Sequence, residues 1–103
     1  MLFIKILLLS LLLAFSSSVL ADPKMDLGLD VYNNKAQCGV CHTLQATGSK
    51  GQIGPNLDQL KPQIPQIIYT VTNGIGVMPA FDGTLTTEEI EAVAYYIFNS
   101  TNK

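Results

Sequence analysis

The chain has 103 residues, a formal charge of −2, two cysteines, a single histidine and 48% hydrophobic residues. Its six basic residues are all lysines scattered along the sequence, so no basic stripe exists to neutralise phosphates, and nucleic-acid binding is excluded. A chain of this length supports one small domain, and such a domain gains little stability from a core made of protein side chains alone.

The first 21 residues read as a secretory signal. Lys5 supplies the positive charge, Ile6 to Phe15 is an apolar run broken only by Ser10, and the segment ends on Val19 and Ala21 at −3 and −1 of a cleavage site. The run is too short to span a hydrocarbon core, and three serines follow it at once, which argues against a retained membrane anchor. The expected mature domain is residues 22–103, located in the periplasm and without a stable membrane span. It carries five lysines against eight carboxylates, a formal charge of −3.

Asp22 and Pro23 predict the start of a first helix, on which Gly28, Val31 and Tyr32 share one face. Next comes Cys38-Gly39-Val40-Cys41-His42. C-x-x-C-H is the pentapeptide of covalent haem attachment, in which each cysteine forms a thioether to the haem and the adjacent histidine is held under the iron. Shuffling two cysteines and one histidine in this chain produces the arrangement about once in 5,000 tries. Other readings of the pair fit worse. A thioredoxin-like dithiol needs a βαβ setting, a zinc site needs further Cys or His ligands, and a disulfide between cysteines three apart closes a strained loop that stabilises little.

From Thr43 to Lys61 the glycines at 48, 51 and 54 and the lack of any apolar period predict an extended loop, and no segment of the chain shows strand-like alternation. Pro65 opens a second helix running to about Asn73, with Ile64, Ile67, Ile68 and Val71 as its apolar stripe and Gly74 just past its end. Thr86 and Glu89 form a capping box for a third helix, Leu85 and Ile90 a hydrophobic staple, and Ile90, Val93, Ala94 and Ile97 its buried face.

Between the second and third helices lies Gly74-Ile75-Gly76-Val77-Met78-Pro79-Ala80-Phe81. With no second histidine, a donor opposite His42 must come from another residue type, and methionine is the natural one. Met78 sits in a loop that glycines make pliant and Pro79 stiffens, whereas Met25 falls on the first helix. Ordinary core packing is the competing role for Met78.

These landmarks together resemble a small class I c-type cytochrome. Cys38-x-x-Cys41-His42, Gly54-Pro55-Asn56-Leu57, Met78-Pro79-Ala80-Phe81 and the terminal Glu91-Ala92-Val93-Ala94-Tyr95-Tyr96-Ile97 follow that family's order over nearly all of residues 22–103. The resemblance implies an all-α class I cytochrome c fold, with about three main helices and connecting loops around one covalent haem c. It implies His42 and Met78 as iron ligands, a hydrogen bond from the His42 ring to the Pro55 carbonyl, and Leu57 and Phe81 in the haem pocket. It also implies that Gly28 and Tyr32 cross the last helix near Tyr96. One spacing departs from the family: Tyr32 lies six residues before Cys38, further than is usual, which puts the register of that crossing in question.

The expected function is one-electron transfer between redox protein donors and acceptors, without enzymatic activity of its own. Gly39, Val40, Val77, Pro79 and Ala80 are the expected docking rim, and Asp82, Glu88, Glu89 and Glu91 an acidic cluster that either steers a partner or serves the helix dipole. Two alternatives are a dedicated electron-accepting subunit of a larger oxidoreductase complex and a haem sensor or enzyme with an open iron position. The second lacks a distal histidine or arginine to handle protons and charge.

Overall fold

A computed structural model describes residues 22–103; the expected signal segment, residues 1–21, lies outside the described residues. Helix α1 spans Pro23–Asp30, α2 Leu57–Leu60, α3 Ile64–Asn73 and α4 Thr87–Thr101. No helix among the described residues is long and apolar enough to cross a membrane.

Local chemistry accounts for the helix ends. The Asp22 carboxylate accepts from the amides of Lys24 and Met25 at 3.2 and 3.3 Å, and Pro23 occupies the first turn of α1, where its missing N–H is not needed. The expected capping box is formed: the Glu89 amide donates to Thr86 Oγ1 at 3.1 Å and the Thr86 amide to Glu89 Oε1 at 2.9 Å. Gly74, at φ 73°, ends α3, a conformation that a side chain would strain.

The helix expected to reach toward Cys38 changes character first. At Val31–Lys35 the helix widens into a π turn, closed by the Ala36 amide on the Val31 carbonyl at 2.8 Å. A π turn absorbs one extra residue without shifting what precedes it. The long Tyr32–Cys38 spacing runs through this turn, and Tyr32 still meets Tyr96 where the chain crosses α4. Gly28 sits where α1 crosses α4, so tightly that a β-carbon on it would lie 2.3 Å from the Ala92 carbonyl oxygen and 2.5 Å from Tyr96 Cβ. The Tyr32 and Tyr96 rings meet at 6.4 Å with a 50° tilt, a geometry that adds about 1 kcal/mol beyond area burial.

Two expectations are corrected. The segment 43–61 is not one extended loop. Asn56 caps the four-residue α2 by accepting from the Asp58 and Gln59 amides, a helix too short to show a period in sequence. Nor is the chain without strands: β1 Thr43–Leu44 pairs antiparallel with β2 Ser49–Lys50, Thr43 opposite Lys50 and Leu44 opposite Ser49. Two residues per strand are too few for alternation to register. The fold is otherwise all-α. Val31, Tyr32, Leu44, Ile67, Val71, Ile90, Val93, Ala94 and Ile97 form one buried cluster, and Leu85 and Ile90 are both in it, as a staple requires.

Candidate haem site

The C-x-x-C-H segment is a tight turn. Gln37 takes a left-handed conformation at φ 51°, Cys38–Val40 follow as a single 3₁₀ turn, and the amides of Cys41 and His42 both reach the Cys38 carbonyl, at 3.1 and 3.0 Å. The turn brings Cys38, Cys41 and His42 into the wall of one open cavity of about 690 Å³. Both thiols are free. Burial pushes the Cys38 thiol up to about 11, the reverse of the lowered value that marks a reactive redox dithiol.

The histidine is held from its outer side. His42 Nδ1 lies 2.7 Å from the Pro55 carbonyl oxygen. A carbonyl only accepts, so Nδ1 carries a proton, and in the neutral ring Nε2 is the nitrogen with a lone pair for a metal. Gly54 makes this possible, because a β-carbon there would fall 2.5 Å from His42 Cε1 and 2.9 Å from Nδ1. The Gly54 amide also donates to the Cys41 carbonyl at 2.7 Å, fastening the Gly-Pro segment to the cysteine turn.

Met78 reaches the same cavity from the loop after α3. Ile75 and Met78 exchange two backbone hydrogen bonds, 2.9 and 3.1 Å, across Gly76-Val77. Gly74 lies beneath this turn, with room for no side chain: a β-carbon would meet Met78 O at 2.6 Å and Ala80 N at 2.7 Å. Phe81, anchored through its amide to the Val71 carbonyl at 2.9 Å, and Pro79 complete that side.

Of the residues singled out in sequence, Cys38, Cys41, His42, Pro55, Met78 and Phe81 line the cavity together. Leu57 does not; it opens α2 and is buried in the core cluster instead. Of the expected rim, Val40, Val77 and Pro79 are cavity-lining, while Gly39 turns against Ser49 and Ala80 stands outside the wall. Ile53 and Ile75 were not anticipated. Each is a bulky apolar residue next to a glycine in a loop and is about 70% exposed at the cavity, and that pairing was the available signal.

The residues present fit a haem. The cavity has the size of a cofactor site, roughly 300–1,000 Å³, and among the described residues no charged side chain lines it. Two thiols, one imidazole nitrogen with a free lone pair and one thioether face it, the donor types that haem attachment and ligation use.

Comparison with known proteins agrees. Residues 23–97 match the family model described as cytochrome c oxidase, cbb3-type, subunit III. The chain is 33% identical to cytochrome c6 of Tetradesmus obliquus over 87 residues, 75% of this chain and 93% of that protein. It is likewise 33% identical to the chloroplastic cytochrome c6 of Chlamydomonas reinhardtii, covering 86% of this chain and 63% of that protein. The crystal structure of the c-type cytochrome SorU from Sinorhizobium meliloti superposes with a TM-score of 0.75 at 44% identity, over 81% of this chain and 97% of that one. With a C-x-x-C-H turn opening onto an apolar cavity of cofactor size, the chain belongs to the small class I c-type cytochromes, a family of electron-transfer haem proteins, and carries one covalently bound haem c.

Proposed function

We propose that this protein is a soluble one-electron carrier working in the periplasm, with Cys38 and Cys41 holding the haem and His42 and Met78 ligating its iron. The observation that carries the reading is that a histidine nitrogen with a free lone pair and a methionine thioether share the wall of one apolar cavity with both cysteines. When bound, the haem supplies an iron that alternates between ferrous and ferric states and so holds one electron.

The chain's own residues set how readily that electron is accepted. The Pro55 carbonyl fixes the His42 ring and raises its donor strength. The Met78 thioether is soft and favours the ferrous state, which raises the reduction potential above that of harder ligand pairs. Ile53, Ile75, Val77 and Phe81 limit water access, which also tunes the potential. Val40, Ile75 and Val77, all at least 65% exposed, give redox protein donors and acceptors an apolar docking rim. The chain contains no second histidine and no arginine, the side chains that peroxidase-type chemistry adds on the distal side. A second reading, a dedicated subunit of a larger oxidoreductase, is favoured by the description of the matching family model as an oxidase subunit. Co-purification of a stoichiometric partner enzyme separates it from a free shuttle.

The ligand assignment is tested by optical and potentiometric comparison of wild type with Met78→Ala. The wild-type ferric protein is expected to show the methionine-to-iron charge-transfer band. The variant loses it, binds added ligand at the sixth position and has a lower potential while keeping its haem. An unchanged ferric spectrum in the variant overturns the assignment and leaves Met25, on α1 against the core, as the next methionine to test.

A further inference from the structure

We propose that Tyr32 and Ser49 are positioning residues for His42, acting through a directed chain of hydroxyl hydrogen bonds that ends on the His42 main-chain carbonyl. The inference rests on the reading of His42 as the iron's proximal ligand.

The geometry converges on Ser49, the first residue of β2. Its Oγ lies 3.0 Å from the His42 carbonyl oxygen, 2.8 Å from the Tyr32 hydroxyl, 3.1 Å from the Leu44 amide and 3.0 Å from Thr47 Oγ1. A serine hydroxyl has one proton to give and two lone pairs to offer, so these four contacts cannot all be hydrogen bonds at once. The His42 carbonyl only accepts and therefore takes the serine proton. The Leu44 amide only donates and fills one lone pair. Tyr32 makes its shorter contact to Ser49, with the His42 carbonyl at 3.4 Å, and so gives its proton to the second lone pair. Thr47 is then left to donate to the Leu44 carbonyl at 3.0 Å while accepting from the Ser49 amide at 3.3 Å. Every donor is placed, and the chain runs one way, from Tyr32 to Ser49 to the His42 carbonyl.

Three features make this a positioning device rather than loop decoration. Tyr32 is fully buried, and its ring packs against Tyr96 at the α1–α4 crossing, so the chain starts from the buried core. The π turn at Val31–Lys35 lets Tyr32 keep that place while the chain after it still reaches Cys38. Ser49 also presses on the C-x-x-C turn itself: a β-carbon on Gly39 would lie 2.6 Å from Ser49 Cβ. His42 is thus held at two points, its ring by Pro55 and its main chain by Ser49. Hydrogen bonds in series strengthen one another, so losing the tyrosine end weakens the serine end.

The test uses the mature holoprotein labelled with ¹⁵N-histidine, which marks one residue because the chain has one histidine. Ferric paramagnetic NMR is recorded for wild type, Tyr32→Phe, Ser49→Ala and Ser49→Thr, with thermal melts in parallel. Ser49→Ala is expected to alter the haem-methyl shift pattern and the His42 ring-nitrogen shifts, and to speed exchange of the His42 Nδ1 proton roughly tenfold. Tyr32→Phe, which keeps the ring, produces the same changes at smaller size, and it decides the question if Ser49→Ala does not hold its haem. Ser49→Thr, which restores a hydroxyl, returns the signals toward wild type. Variants that melt earlier with unchanged shifts and exchange overturn the proposal, as does Ser49→Thr behaving like Ser49→Ala. Wild-type ring nitrogens without hyperfine shift would instead overturn the assignment of His42 as ligand.

Discussion

Where α1 crosses α4, Val31, Tyr32, Val93 and Ala94 are at most 1% exposed, and Gly28 lets two backbones touch. Around the cavity, Val40, Ile53, Ile75 and Val77 are 65–85% exposed. The first region is a protein-only core, complete once the helices pack. The second is apolar surface that this chain does not bury by itself, framed by glycines and backbone hydrogen bonds, and it belongs to a cofactor. A small domain thus divides its work: one half supplies rigidity, and the other presents donors and an apolar wall. The Tyr32–Ser49 chain is where the two halves meet.

The largest effect should come from separating the cavity half from its cofactor. Acidic organic extraction of wild type is expected to leave the haem on the polypeptide. Replacing Cys38 and Cys41 together by Ala should abolish attachment and leave a chain with little helix by circular dichroism, because the crossing alone is too small a core to hold residues 22–103. Retained native helicity in that variant would show that the crossing stands without the cofactor.

Glycine substitutions sharpen the contrast. Gly28→Ala forces a β-carbon into the Ala92 carbonyl, and overpacking of this kind costs about 2 kcal/mol, which lowers the melting temperature by roughly 10 °C with little change in the haem spectrum. Gly54→Ala pushes on the His42 ring instead and should disturb its bond to Pro55, changing the ferric spectrum more than the melting temperature. If both variants change stability and spectrum in proportion, the two regions are not separable.

A smaller effect is expected from pH. Lys35, in the π turn, pairs with Glu89 of the capping box at 2.6 Å. The bond to Lys35 holds Glu89 below its ordinary 4.5, and the bond to Glu89 holds Lys35 above its ordinary 10.5. The carboxylate's contribution is present above about pH 4.5 and is lost as the pH falls through the lowered value. The lysine's is present below about pH 10.5 and is lost as the pH rises through the raised value. Chemical denaturation across pH should show Glu89→Gln losing stability between these limits and converging on wild type at the acid end. Parallel curves at all pH values would count against the pair.

The smallest expected effect concerns steering. Glu89 is committed to the cap and to Lys35, so Glu88 and Glu91 are the acidic side chains at the start of α4 left for a partner. Glu88→Gln with Glu91→Gln should slow electron transfer to a basic redox partner by a few-fold at low salt and much less at high ionic strength, where exposed charges are screened beyond roughly 3 Å at 1 M. A rate that ignores both salt and the substitutions leaves the apolar rim around Val40 and Val77 as the docking determinant.

What the sequence alone determined was local in origin. The caps at Asp22 and Thr86, the staple of Leu85 and Ile90, the apolar stripe of α3 and the C-x-x-C-H motif depend on residues a few positions apart, so spacing reveals them. Helix α2 and the β1–β2 pair escaped because two to four residues carry no period, and Asn56 and Ser49 hold them through side-chain hydrogen bonds that form only once the chain is folded. Leu57 looked like a pocket residue by its place after Gly-Pro-Asn, yet only packing could turn it into the core, and Ile53 and Ile75 could be assigned to the cavity only once the loops were folded. The π turn is the clearest case. In sequence it shows only as a long spacing between Tyr32 and Cys38, whereas in the structure Tyr32 is packed at the crossing and Cys38 at the cavity, and the backbone between them runs through a π turn because both ends are held by contacts far away in the chain.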